Sequence, residues 1–141
     1  MTTTIVVGID GSGHARAALR WALREARLRG CDVLTLHAYH SPLPGIGAAG
    51  SYVDLHDPAV AILDDEVGKA LAEDGSDVHV HRRVVEGDAA TALVRAAGAD
   101  DLVVVGSRGH GVVAGALLGS TSQYVACHAH CPVVVVRGEY P

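Results

Sequence analysis

The chain has no phenylalanine, one tryptophan, one methionine and a single lysine, Lys69, among its 141 residues. The shortage of aromatics excludes a core of stacked rings. Almost half of the chain is nevertheless apolar, at 49%, mostly Val, Ala and Leu. Small and branched side chains of this kind suit strands covered by helices on both faces. The formal net charge of −5 lacks the basic footprint of a nucleic-acid binder, so no DNA or RNA partner is expected. No apolar run approaches the ~20 residues of a membrane span, so no membrane partner is expected either. The opening Met1-Thr-Thr-Thr has neither the basic nor the apolar region of a signal peptide, which makes a cytoplasmic location the expectation. Three cysteines, Cys31, Cys127 and Cys131, show no paired spacing and argue against a disulfide framework. The length fits one domain over residues 1–141.

What is abundant is glycine, at 17 residues, against a usual share of roughly 7%. Its placement becomes clear once the elements are read. Thr4–Ile9 is a short β-branched run, read as a buried strand. From His14 to Arg29 the apolar positions Ala15, Ala18, Leu19, Ala22, Leu23 and Ala26 form one helical face, and Gly30 is placed to stop the helix. Arg16, Arg20, Arg24 and Arg27 line another face, read as solvated. Asp32–Ala38 reads as a strand. The stretch from His40 to His56 is a long Gly/Pro-rich loop of the kind that forms lids or binding loops. Asp57–Glu73 is helical by its Val60, Leu63, Val67, Leu71 spacing. Val78–Val85 alternates as a half-exposed strand near a sheet edge. A helix over Asp88–Ala97, a strand over Asp101–Val105, a helix over Leu117–His130 and a strand over Pro132–Arg137 follow. Strands alternating with helices in this way predict an open, doubly wound α/β fold, mostly parallel, with helices on both faces.

Two of the strands end in the same pattern. Val6-Val-Gly-Ile-Asp-Gly-Ser-Gly13 follows the first and Val104-Val-Gly-Ser-Arg-Gly-His-Gly111 the fourth. In a doubly wound sheet, ligands bind at the carboxyl ends of strands where the winding reverses. If these two strands flank that reversal, both glycine loops face one crevice. Glycines there let main-chain N–H groups turn toward a phosphate. The run Gly119-Ser-Thr-Ser122 then enters the last helix, whose free N–H groups and dipole attract anions. An ATP triphosphate would be held largely by neutral donors, with Arg108 as the charge partner. The chain has no G-x-x-x-x-G-K-[ST] P-loop. Asp10 stands where a dinucleotide fingerprint needs its second glycine. No G-x-S-x-G elbow is present.

The spacing Gly106-x2-Gly109-x9-Gly119-Ser120 resembles the ATP-binding motif of the universal stress protein family. The resemblance extends to Val6–Ser12 at one end and Cys131-Pro-Val-Val-Val-Val136 at the other. It implies a five-stranded sheet of order 3-2-1-4-5 and a homodimer. It also implies a nucleotide seat. Asp10 with its neighbours Gly8 and Ile9 would lie under the nucleotide, near ribose, phosphate or a Mg²⁺. Ala38 would lie beside adenine, and Val105, Gly106 and Gly109 along ribose and phosphate. Gly119, Ser120, Thr121 and Ser122 would meet the phosphates. Ser107, Arg108, His110 and Gly111 complete the loop as candidate contacts.

The function expected is that of an ATP-binding protein acting in stress response or signalling. Two alternatives stay open: slow ATP hydrolysis or autophosphorylation on Ser120, Thr121 or Ser122, and cyclic AMP as the ligand. No lysine or general base suited to phosphoryl transfer accompanies the motif. The continuous apolar strand Val133–Val136 would be an aggregation hazard as a bare edge, which supports pairing with a second copy. Cys127-His-Ala-His-Cys131 tempts a metal reading. One helical turn does not converge four ligands, so the cysteines are read as small buried residues and the histidines as surface ones. His79 and His81, alternating on one strand face, are read as a solvated edge.

Overall fold

A computed structural model describes residues 3–40, 56–74, 77–109 and 117–139. Nine elements alternate along them: β1 (Thr4–Gly8), α1 (Gly13–Arg29), β2 (Asp32–Tyr39), α2 (His56–Asp74), β3 (Val80–Glu86), α3 (Ala89–Ala96), β4 (Leu102–Gly106), α4 (Ser120–His128) and β5 (Val133–Val136). The five strands form one parallel sheet of order β3-β2-β1-β4-β5. The winding therefore runs outward from β1 through β2 to β3, then reverses to β4 and β5. Strands β1 and β4 lie side by side at the reversal, with Val6 beside Val103.

Two cores flank the sheet. On one face Ile5, Val7, Val33 and Val104 meet Ala18, Leu19, Ala22 and Leu23 of α1 and Leu63 and Val67 of α2. On the other, Val6, Leu34, Leu36, Val103 and Val105 meet Ala90 and Leu93 of α3 and Val125 of α4. Alternate residues of β1, β2 and β4 thus serve opposite faces, as strand geometry requires. Helix α1 starts at its Ser12 cap, whose hydroxyl accepts from the Ala15 N–H at 3.2 Å. It stops at Gly30 in the left-handed region, at φ 66°.

Three expectations are corrected. The arginines of α1 form a solvated face only in part: Arg24 and Arg27 are exposed, but Arg16 pairs with Glu66 at 2.9 Å, Arg20 with Glu73, and Arg27 with Asp74 at 3.2 Å. Those acids lie on α2, so these three arginines join two helices packed on the same side of the sheet. The Glu66 side chain is only 8% exposed, and its hydrogen bond holds the Arg16 guanidinium pKa above the ordinary arginine value against the opposing effect of burial. Second, the last helix begins at Ser120 rather than Leu117 and ends at His128, which puts Cys131 beyond it. Third, Cys127 is exposed, while Cys31 is buried and Cys131 half-buried. Burial pushes the thiols of Cys31 and Cys131 up, away from reactivity. The residues between His40 and His56, numbers 41–55, lie outside the described residues.

Candidate functional site

The carboxyl ends of β1, β2 and β4 open into a cleft of about 640 Å³, within the usual size of a small-molecule site. Gly8, Ile9 and Asp10 line it from the end of β1, Ala38 from β2, and Val105, Gly106, Arg108 and Gly109 from β4 and its loop. Gly119, Ser120, Thr121 and Ser122 close it from the start of α4. Both glycine loops and the serine-threonine run thus meet in one place. His110 and Gly111 lie outside the described residues. Ser107 does not line the cleft. It is buried, its N–H donates to the Val136 carbonyl at 2.9 Å, and its carbonyl accepts from the Gly119 N–H at 2.7 Å. Ser107 therefore ties the β4 loop to β5 and to the α4 start.

The loops are held tightly. The Asp10 carboxylate accepts from the Ser12 N–H at 2.8 Å and from the Ser12 hydroxyl. A side chain at Gly109 would place its Cβ 2.6 Å from Asp10 Oδ2. One at Gly106 would come within 2.7 Å of the His14 carbonyl group. The end of β4 and its loop approach the start of α1 and the first glycine loop so closely that only hydrogen fits at these positions. His37, which sequence reasoning passed over, is buried on β2, and its Nδ1–H donates to the Ile9 carbonyl at 2.7 Å. That bond fixes the main chain just before Asp10. Its only sequence signal was a histidine inside an otherwise apolar strand.

The cleft combines an apolar lining, from Ile9, Leu36, Ala38, Leu93 and Val105, with polar groups that include His40, Asp88 and Arg108. Leu36 and Leu93 are fully buried beneath it. Asp88, at the mouth, caps α3 by accepting the Thr91 N–H and hydroxyl, each at 2.9 Å. Those hydrogen bonds, the main-chain one foremost, hold its carboxyl below the usual aspartate range. Sequence reasoning also missed Asp88, Gly87 and Ala89, which follow β3 and belong to the cleft. A shared glycine pattern could not flag them, because the β3 loop carries only one glycine.

Helix N-termini differ in a way that matters here. Ser12 caps α1 and Asp88 caps α3, but Gly119 gives α4 no side-chain cap, and its first turn holds no acid. The Ser122 hydroxyl turns inward, donating to the carbonyls of Ser107 and Gly119 at 3.1 Å each, and so braces the turn. Ser120 and Thr121 carry the remaining hydroxyls of that first turn, beside Arg108. This end of the cleft suits an anion, for uncapped N–H groups and a positive dipole end favour negative charge.

The fold and cleft define a doubly wound α/β protein with a small-molecule crevice at its switch point. The family model for the universal stress protein family matches residues 1–137, and the chain belongs to that family. It is 38% identical to a universal stress protein of Mycolicibacterium smegmatis over 135 residues, covering 94% of this chain and 45% of the relative. It is 35% identical to one of Thermus aquaticus over 142 residues, covering 97% of this chain and 100% of the relative. The chain thus spans about half the length of the mycobacterial relatives it matches and the full length of the Thermus protein. Among solved structures, a universal stress protein in complex with cAMP superposes with a TM-score of 0.69 at 30% identity, covering 96% of this chain and 97% of that one.

Proposed function

We propose that the cleft binds an adenine nucleotide, with ATP as the principal ligand, and that the protein acts by nucleotide-dependent signalling rather than by turnover. The observation that carries this reading is the uncapped start of α4, which lines one cleft together with Arg108 and with the apolar Leu36, Ala38 and Val105. A nucleotide calls on both kinds of lining: apolar surface for a flat base, and N–H and hydroxyl donors for its phosphates. On this reading adenine lies by Ala38 over Leu36, ribose along Val105 and Gly106, and the phosphates on Gly109, Gly119, Ser120 and Thr121. Asp10 would hold a Mg²⁺ that accompanies the phosphates, since one carboxylate plus phosphate oxygens and water is a usual environment for that ion. The ion would neutralise phosphate charge.

Cyclic AMP is the second reading, favoured by the cAMP complex of the solved relative. Equilibrium dialysis of labelled ATP, with unlabelled cyclic AMP as competitor, separates the two. The expected result is saturable ATP binding that Gly119→Val abolishes, because Gly119 packs 3.2 Å from the Arg108 main chain at its Cβ position. Displacement by cyclic AMP at lower concentration than by ATP itself would reverse the order of the ligands. No ATP binding would remove the first reading.

The reading includes a homodimer through β5. This strand is a sheet edge, and all four of its valines are half-buried rather than covered. The carbonyls of Pro132 and Val136 turn to β4, bonding the N–H groups of Val103 and Ser107. By the alternation of a strand's main chain, the groups of Val133 and Val135 face outward, where a second copy's strand would pair. Val135→Pro removes an outward donor and no bond to β4. Sedimentation velocity should show the wild type as a dimer and Val135→Pro as a monomer with unchanged helical circular dichroism. A wild type that sediments as a monomer at all concentrations would refute the dimer.

A further inference from the structure

At the other end of the sheet, away from the cleft, three potential ligands gather on one surface. Asp32 begins β2, and His79 and His81 stand at the start of β3. The β2–β3 register pairs Val33 with Val80 and Leu34 with His81, so Asp32 faces His79 across the strands. The backbone there is pinned: the Val33 N–H donates to the His79 carbonyl at 3.0 Å, and the Thr35 hydroxyl to the His81 carbonyl at 2.9 Å. His79 and His81 lie two residues apart, hence on one face, with ring centroids 4.4 Å apart. His81 Nε2 lies 3.0 Å from Asp32 Oδ2. One ligand atom from each of the three residues lies within 4.8 Å of the other two. Among the described residues this is the one group of three or more His, Cys, Asp or Glu side chains with that property; the Cys127–Cys131 segment does not form one.

We infer that Asp32, His79 and His81 bind a divalent transition metal of the zinc type. A tetrahedral ion with bonds of about 2.0–2.1 Å sets its ligand atoms about 3.3 Å apart. The Asp32–His81 pair is already at that separation, and His79 need close by at most about 1.5 Å, a side-chain rotation on an exposed surface. Two imidazoles and one carboxylate match the borderline preference of Zn²⁺, whereas Mg²⁺ and Ca²⁺ take oxygen donors. Three protein ligands leave a fourth position for water. The metal would replace the His81–Asp32 hydrogen bond and clamp the edge strand β3 to β2. The site lies roughly 20 Å along β2 from Ala38, from the strand's rise of about 3.3 Å per residue. It is independent of the nucleotide reading.

The test is isothermal titration of the full chain, stripped with chelator, with zinc chloride. The wild type should bind Zn²⁺ at one site that His79→Gln and His81→Gln each weaken by at least about tenfold, the scale on which even outer-shell partners of a metal act. Asp32→Asn should weaken it as well. The double variant Cys127→Ser, Cys131→Ser should bind as the wild type does. X-ray absorption at the zinc edge should report nitrogen and oxygen neighbours and no sulfur. Unchanged affinity in His79→Gln and His81→Gln overturns the assignment. So does sulfur in the zinc shell, or a wild type that takes up no zinc. Circular dichroism and urea midpoints matching the wild type exclude misfolding as the cause of a loss, since all three side chains lie at the surface.

Discussion

Gly109→Val is expected to weaken ATP binding by at least about a hundredfold, or ~2.7 kcal/mol. The first carbon of any side chain at this position would lie 2.6 Å from Asp10 Oδ2. The contact is between two loops, not with the end of a long flexible chain. Asp10 cannot swing clear without giving up its bonds to the Ser12 N–H and hydroxyl, and those bonds shape the turn into α1. Either Asp10 or the β4 loop must move, and both line the cleft. The valine branches then fill space that a phosphate would take. Equilibrium dialysis measures the loss, and urea unfolding of the same variant checks that the fold survives. Binding within about threefold of the wild type, less than 1 kcal/mol, would show that the phosphates lie elsewhere.

Leu93→Ala is expected to lower stability by about 2–5 kcal/mol. Leu93 is fully buried at the centre of the second core. It also forms the floor of the cleft and packs on Gly8, where an added Cβ would meet its Cδ1 at 3.0 Å. Truncation removes buried methyl groups and leaves a hole that rigid strands on one side cannot collapse into. The conservative Leu93→Met should lose under about 1.5 kcal/mol, because volume is kept. Urea midpoints with unchanged slopes give both values. A loss below about 1 kcal/mol for the alanine variant would mean that α3 settles onto the sheet and refills the space.

Much of this architecture was legible in the sequence, because its signals are local. Short β-branched runs, amphipathic helices and two matching glycine turns report on their own segments, and together they specify the alternation of the sheet. The place of β3 at an edge followed from the initial alternation of His79 and His81 with Val78 and Val80. Arg16, Arg20 and Arg27 of α1 misled for the opposite reason. Their partners Glu66, Glu73 and Asp74 lie about 50 residues away, and a single-helix pattern cannot distinguish a charge facing water from one facing a neighbouring helix. His37 and the inward turn of the Ser122 hydroxyl were hidden for the same cause: their partners, the carbonyls of Ile9 and Ser107, lie 28 and 15 residues away. The placement of Asp32 opposite two histidines likewise depends on strand register, which no spacing within one strand reveals.

The three pairs between α1 and α2 carry a geometric consequence. Both helices return antiparallel to the same sheet, so they run in the same direction and their dipoles lie side by side, an arrangement that is mildly repulsive. Every basic partner is on α1 and every acidic one on α2, so fixed charges offset that repulsion. The spacing is uneven: four and seven residues between the arginines, seven and one between the acids. A slide of one helical turn, about 5.4 Å, cannot re-form all three pairs. The two helices therefore engage like a key with irregular teeth, seating at a single offset. Because the first tooth, Arg16, also donates to the Gly11 carbonyl at 2.9 Å, that same offset sets where the first glycine loop stands.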